Sequence, residues 1–336
     1  MNRIAILVWL TAGALAGCSS DGGNEASGGS SGSGGSGAAA GSTSGGTGGA
    51  GATGGAGGSA GGVGGSGGST PQCADGPGYA TNPTPSRVDQ VLAKVVNPQG
   101  APVADLLAQV CGTDFCVNGK TDATGAVVTC QSGGQICTPG INPGQDMTLP
   151  AFKYGAGLNF VKFAYPLPSG TTQFDLGTLA IVPLGPPGSG QTLTSGATVT
   201  SNEVELTLAE NTAVKIDQLT YLTEDEQQFR AVVFDPADAP DAVDPSLNLE
   251  LLVGTTPIET EFCPAATLSL PNSKGWAADA DVEFFVHGVS IEEEWAPYAG
   301  WAKVSDGKVS SDGTKVVTND GEGIPHLSVI GVRLKP

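Results

Sequence analysis

Three stretches in the C-terminal half alternate apolar and polar residues with a period of two, and this limits what the chain can fold into. Val204, Leu206 and Leu208 alternate with Glu203, Glu205 and Thr207. Leu247, Leu249, Leu251 and Val253 alternate with Asn248 and Glu250, and Val282, Phe284 and Val286 with Glu283, Phe285 and His287. Successive strand side chains point to opposite faces, so each stretch predicts a half-buried antiparallel strand. On that parity His287 falls on the wet face. Asp306-Gly307 and Asp312-Gly313 supply hairpin signals between strand-like runs. No stretch has the apolar spacing of a long amphipathic helix. The chain reads as all-β: two or three tandem antiparallel β-sandwich domains, immunoglobulin-like or transthyretin-like, following a disordered stalk.

The stalk is Ser19 to Thr70, almost wholly Gly, Ser, Ala and Thr, with Val63 its single β-branched aliphatic residue. Such a segment cannot bury enough apolar surface to offset the entropy of ordering it. As a flexible coil it would have an r.m.s. span of roughly 40 Å. Its Gly64-Gly65-Ser66-Gly67-Gly68 matches a nucleophile-elbow pattern but lacks the flanking strand and helix that give the pattern meaning. Upstream lie Arg3, an apolar run from Ile4 to Ala16, and Leu15-Ala16-Gly17-Cys18. The run is short for a bilayer span and has the layout of an export signal. Ending in Leu-Ala-Gly-Cys, the segment resembles the signal peptide of bacterial lipoproteins, which implies acylation, including palmitate, at Cys18. Ser19 directly after it resembles the residue found in lipoproteins sent to the outer membrane.

Order is expected from Val88 onward. Val91 to Val96 reads as a strand and Asn97-Pro98-Gln99-Gly100 as a turn, followed by Pro102-Val103, a strand around Ala108-Gln109-Val110, and Thr121-Asp122-Ala123-Thr124-Gly125. This order resembles the carboxypeptidase regulatory-like domain, a small transthyretin-like β-sandwich. The resemblance implies a fold and no activity. Asn159 to Tyr165 and Gly177 to Val182 would supply its last strands. Pro183 to Gly190, rich in Pro and Gly, marks a boundary. The expected organisation is a signal and lipobox over 1–18, a linker over 19–70, the regulatory-like domain over 71–187, and a β-sandwich region over 188–336 with a sub-boundary near 264. Ser195 to Asp217 resembles the sheet domain of ankyrins and netrin receptors. The C-terminal Trp295-x-Pro297-Tyr298, Val309-Ser310-x-Asp312-Gly313 and Gly323-Ile324-Pro325-His326-Leu327 resemble endings of myxobacterial-type lipoproteins.

The chain carries a net charge of −19 with only 14% charged residues. An acidic balance argues against nucleic acid, whose binders need a positive footprint, and against an electrostatic grip on anionic lipid. Membrane attachment would come from the N-terminal lipid. Seven cysteines are present: Cys18, Cys73, Cys111, Cys116, Cys130, Cys137 and Cys263. Lipidation of Cys18 leaves six, and an exported context permits disulfides. Six cysteines allow 15 pairings. Cys111, Cys116, Cys130 and Cys137 surround the central hairpin and would staple it, at about 2–4 kcal/mol per bridge. If all six pair, one bridge crosses to Cys263, with Cys73 the best-placed partner. No Cys-x-x-Cys pair points to zinc.

Chemistry is sparse. The only histidines are His287 and His326, and no His-Glu-x-x-His occurs. His287 reads as a surface residue and His326, after a Pro, as a cap or edge residue. Gly112 to Thr121 ends in Gly-Lys-Thr, but its spacing is too long for a phosphate loop. Asp235, Asp238, Asp241 and Asp244 recur every third residue. Calcium could use such oxygens, yet the EF-hand spacing is absent and a solvated acidic loop accounts for the run. Glu224-Asp225-Glu226 and Glu292-Glu293-Glu294 read the same way. No cofactor or metal is expected. The remaining feature is Trp295-Ala296-Pro297-Tyr298-Ala299-Gly300-Trp301, a loop or distorted strand. Its Trp295, Tyr298 and Trp301 could stack on sugar rings or anchor a protein partner, or could plug one end of the sandwich against Phe284 and Val286. The expected function is that of a lipid-anchored cell-envelope protein, at the periplasmic or surface face, with a non-catalytic binding or structural role. Its partner would be a polysaccharide or a protein. The rival is a hydrolase or enzyme accessory acting on envelope or extracellular polymer, which a cleft with convergent carboxylates would favour.

Overall fold

The computed structural model describes residues 76, 78–79 and 84–336, except 114, 132–135, 156–158 and 290–294. Cys18, Cys73, the Gly-rich tract and Glu292-Glu293-Glu294 lie outside the described residues. The described chain is nearly all β. Its first half contains β1 (Ser86–Val88), β2 (Gln90–Val96), β3 (Leu107–Cys111), β4 (Cys116–Thr121), β5 (Val127–Cys130), β6 (Cys137–Pro139), β7 (Gln145–Met147), β8 (Ala151–Tyr154), β9 (Phe163–Pro166) and β10 (Gln173–Ala180). Six of these form a sheet in the order β6-β5-β4-β3-β8-β9. β1 pairs with β7, and β2 with β10. The β2–β10 ladder is parallel and every other strand ladder is antiparallel, which departs from the wholly antiparallel expectation.

The predicted turns form with the chemistry their residues supply. At Asn97 the side-chain carbonyl accepts from Gln99 and Ala101 N–H groups at 3.0 and 2.9 Å. At Asp122 the carboxylate accepts from Thr124 N–H at 2.8 Å and Ala126 N–H at 3.1 Å. Each turn ends in a Gly at φ +79°.

The second half contains β11 (Gln191–Thr192), β12 (Thr198–Ser201), β13 (Val204–Thr207), β14 (Ala213–Lys215), β15 (Gln228–Phe234), β16 (Leu251–Thr256), β17 (Glu261–Pro271), β18 (Asp281–His287), β19 (Trp301–Val309), β20 (Lys315–Thr318), β21 (Ile324–His326) and β22 (Val329–Leu334). They make one large sheet in the order β11-β15-β16-β22-β18-β19-β20-β17-β13-β12, with β14 and β21 also paired to β17. The sheet is nearly closed. Its two ends meet through side chains: Thr200 N–H donates to Gln191 Oε1 at 2.9 Å, and Ala231 N–H to Ser201 Oγ at 2.9 Å. Asn202 Nδ2 donates to Ala231 O at 2.7 Å.

Two hydrophobic cores result. The second fills the closed sheet with Leu206, Leu251, Val253, Leu268, Phe284, Val286, Ile330 and Val332. The first joins Val91, Val95, Val110, Phe152, Phe163 and Ile181 to Phe234, Leu249, Leu252, Phe285 and Val329. Alternate residues of β15, β16, β18 and β22 therefore face opposite cores, and the wall they form is dry on both sides. This overturns the half-buried reading of β16 and β18: all six residues of β16 are buried, as are six of the seven in β18. His287, expected at the surface, is buried for the same reason. The expected boundary at Pro183–Gly190 falls between β10 and β11, and apolar packing is continuous across it.

Two smaller expectations also change. Leu247 to Glu250 is not strand: Pro245–Leu247 is a turn of 3-10 helix, closed by Asn248 at φ +50°, and β16 starts only at Leu251. Asp306-Gly307 is no turn but lies inside β19. A Cβ on Gly307 would sit 2.5 Å from Phe284 Cε2 and 2.4 Å from Val317 O, so glycine is there for close approach. Asp312-Gly313 does turn, with Gly313 at φ +73°. Asp312 Oδ1 accepts from Ser310, from Thr314 N–H and from the Thr314 hydroxyl, which holds its carboxyl down at about 2.

Candidate functional site

The aromatic loop sits between β18 and β19 and distributes its three rings differently. Trp295 is half-buried against the core of the closed sheet. Trp301 is half-buried against the first core, and its indole N–H donates to Ala242 O at 3.1 Å. Tyr298 packs between the halves, on a small cluster of Ala151, Ala164, Ile258, Val289 and Ala299. The Lys153 ammonium, on the otherwise apolar strand β8, lies 4.9 Å from the Tyr298 ring centroid. The Tyr298 hydroxyl is buried and has no hydrogen-bond partner among the described residues. Burial first, and the charge of Glu259 second, push its titration upward.

Beside Tyr298 opens a cleft of about 220 Å³ at the end of the β8–β9 ladder, where Ala151 pairs with Pro166. Its walls are Leu149, Pro150, Ala151, Pro166 and Leu167, with Tyr298 and Ala299 from the aromatic loop. Thr84, Ser86 and Ser169 are the polar residues on it, while the Tyr298 hydroxyl itself is buried. Among the described residues no carboxylate, imidazole or thiol lines it. Sequence reasoning singled out Tyr298 but missed Lys153, Ser86 and Ser169, since a lone Lys in a Phe-Lys-Tyr strand and isolated serines carry no pattern.

His287 closes the junction beneath this loop. Its Nε2 accepts from the outward N–H of Ala164 in edge strand β9 at 3.1 Å. That places the ring proton on Nδ1, which donates to Gly300 O at 2.9 Å. The ring lies 4.8 Å from Trp301 and 6.4 Å from Phe163, centroid to centroid. Burial draws its titration down to about 4, against partial compensation from the Gly300 bond; the bond from Ala164 N–H needs an unprotonated Nε2 and holds the ring neutral. A neutral imidazole with both nitrogens spent on backbone groups joins two elements and has none left for proton transfer. His326 is buried in β21, in register with Glu261.

The acidic loop resolves into caps. Asp235 caps the 3-10 turn Pro236–Asp238, accepting from Ala237 N–H, while Asp238 bonds back to Asp235 N–H. Asp235 also pairs with Lys274 at 2.5 Å, and Asp244 caps Pro245–Leu247. Ala239 and Ala242 point into the first core. The three-residue period is thus that of Asp-Pro caps and 3-10 turns. Among the described residues no group of three or more His, Cys, Asp or Glu could hold a metal ion.

Two disulfides lie across antiparallel ladders, Cys111–Cys116 and Cys130–Cys137. Each closes a hairpin at its loop end, in register: Cys111 opposite Cys116 and Cys130 opposite Cys137. The Gly112–Phe115 and Gln131–Ile136 hydrogen bonds make these the closely spaced, non-hydrogen-bonded pairs, where side chains approach best. Cys263, in β17, is also disulfide-bonded. Its proposed partner Cys73, and the proposed lipidation site Cys18, lie outside the described residues. No known protein family, curated protein or solved structure matches the chain.

Proposed function

We propose that the protein is exported, lipid-anchored at Cys18 and held at the outer membrane, where its ordered body serves as a non-catalytic binding module. The Leu15-Ala16-Gly17-Cys18 order and the Gly/Ser tract behind it support the anchor and stalk. Two hydrophobic cores support reading the body as tandem sandwich-like units, the first transthyretin-like, the second built on the closed sheet. The observation that carries the binding role is the Tyr298 cleft, which combines apolar side chains and two prolines with the neutral residues Thr84, Ser86 and Ser169. Such a surface suits a neutral saccharide, which offers apolar ring faces and hydroxyls of its own. Ligand hydroxyls would then bond to the Thr84, Ser86 and Ser169 side chains while the Tyr298 ring packs beside them.

Affinity electrophoresis of the full chain through neutral polysaccharides tests this, with Ser86→Ala/Ser169→Ala beside the parent. A retarded parent and an unretarded variant of equal melting temperature is the expected result. Equal mobility on every polymer refutes the cleft. Membrane partition tests the anchor separately: Cys18→Ala is expected to release the protein into soluble fractions, and a variant that stays with membranes refutes it.

A further inference from the structure

Leu219 and Leu222 are the most exposed large apolar side chains among the described residues, 92% and 73% exposed. They flank Tyr221 in the segment between β14 and β15. Tyr221 itself is buried, and its hydroxyl accepts from Ile258 N–H at 2.7 Å. Gln227 Nε2 donates to the Tyr221 carbonyl at 2.9 Å. On one side, Asp217 Oδ1 accepts from Leu219 N–H at 2.9 Å and Oδ2 from the Thr220 hydroxyl at 2.6 Å. On the other, Glu226 Oε2 accepts from Leu222 N–H at 2.6 Å and Thr223 N–H at 2.9 Å. The amide of each leucine is therefore pinned by a carboxylate of its own loop, and the middle of the loop is anchored by a buried phenol.

A loop built this way cannot turn its leucines inward without breaking those bonds. It forgoes the burial of two large apolar side chains and holds them in water, already ordered. A protrusion ordered in advance saves the entropy that association otherwise costs. Its surroundings are acidic: Asp217, Glu224, Asp225 and Glu226 lie in it, with no Lys or Arg between Lys215 and Arg230. Lys215 is engaged with Glu261 at 2.9 Å, Arg230 is buried, and Lys162, whose charge reaches Asp217, is engaged with Glu259 at 3.1 Å.

We infer that this loop is the docking point for a partner protein presenting an apolar pocket rimmed by Lys and Arg. The leucines fill the pocket and the four carboxylates meet the rim. Acid at the tip opposes anionic lipid, and it opposes a second copy of this chain, which would bring like charges together. The loop shares no residue with the Tyr298 cleft.

The test uses the full chain and a labelled amphipathic Leu/Lys helical peptide as the probe, read by fluorescence anisotropy. The parent is expected to bind it, more weakly as salt rises. The Leu219→Ser/Leu222→Ser double variant is expected to bind about tenfold more weakly or worse, at an unchanged melting temperature, since both side chains are already in water. A Ser/Lys peptide of equal charge is expected to bind the parent no better than it binds the variant. Equal affinity of parent and variant for the Leu/Lys peptide overturns the inference, as does equal binding of the two peptides by the parent. Leucine-dependent binding to zwitterionic phosphatidylcholine vesicles would assign the loop to a membrane, and leucine-dependent dimerisation in sedimentation would assign it to a second copy. Either result also overturns it.

Discussion

The junction His287 makes stability depend on pH in a window set by one residue. An unfolded histidine titrates near 6.5, whereas burial draws this one down to about 4. As pH falls below 6.5 the unfolded chain takes up the proton first, so stability complete above pH 6.5 drains away until about pH 4 and is level below that. At roughly 1.4 kcal/mol for each pH interval in which only the unfolded state is protonated, about 2–3 kcal/mol is lost by pH 4.5. The aspartates held below their usual range, such as Asp235, Asp306 and Asp312, lose their contribution only below about pH 4.5, and Glu283 only below about pH 5.5, which leaves the window above that to His287. His287→Gln isolates the effect. Its Oε1 can accept from Ala164 N–H and its Nε2 can donate to Gly300 O, and it does not titrate. Urea unfolding of both chains, at steps from pH 7.5 to 4.5, reads the result as free energy against pH. The parent is expected to lose about 2–3 kcal/mol over that range and the Gln variant less than about 1 kcal/mol. Parallel loss in both chains would refute the assignment, because the slope would then belong to other groups.

Three further outcomes follow from the packing. Gly307→Ala and Gly313→Ala both alter an Asp-Gly pair, but the first forces a methyl against Phe284 and Val317 and is expected to cost about 1–3 kcal/mol. The second meets open space and is expected to cost about 1 kcal/mol for its left-handed backbone, so equal thermal shifts would contradict the close approach at Gly307. Trp295→Ala/Trp301→Ala empties a partly buried site in each core and is expected to lower stability by about 3 kcal/mol per ring; an unchanged melting temperature would show that the rings do not anchor the loop. Non-reducing peptide mapping is expected to recover Cys111 with Cys116 and Cys130 with Cys137, and to find no free thiol at Cys263.

Much of the strand content is readable from the residues, because alternation and turn chemistry are local. Val91 to Val96, Val204 to Thr207, the Asn97 and Asp122 turns and the Asp312-Gly313 hairpin all appear where short-range pattern places them. What local pattern cannot carry is the number of dry faces a strand has. Glu283 shows why. It looks like a solvent residue, yet it is buried, and hydrogen bonds from Arg333 and Lys303 outweigh the cost of that burial and hold its carboxyl below the usual range. His287 keeps the same parity and meets an edge strand more than a hundred residues away. The cleft beside Tyr298 likewise draws its walls from β8, the end of β9 and the loop before β19, which only the packed chain brings together. Alternation, turn residues and the Gly-rich tract therefore decide, from the sequence alone, that this is a β protein and where order is expected to begin. Which faces are buried, which histidine is neutral and where a cleft opens are decided by the meeting of the two cores, because burial is a property of contacts distant in sequence.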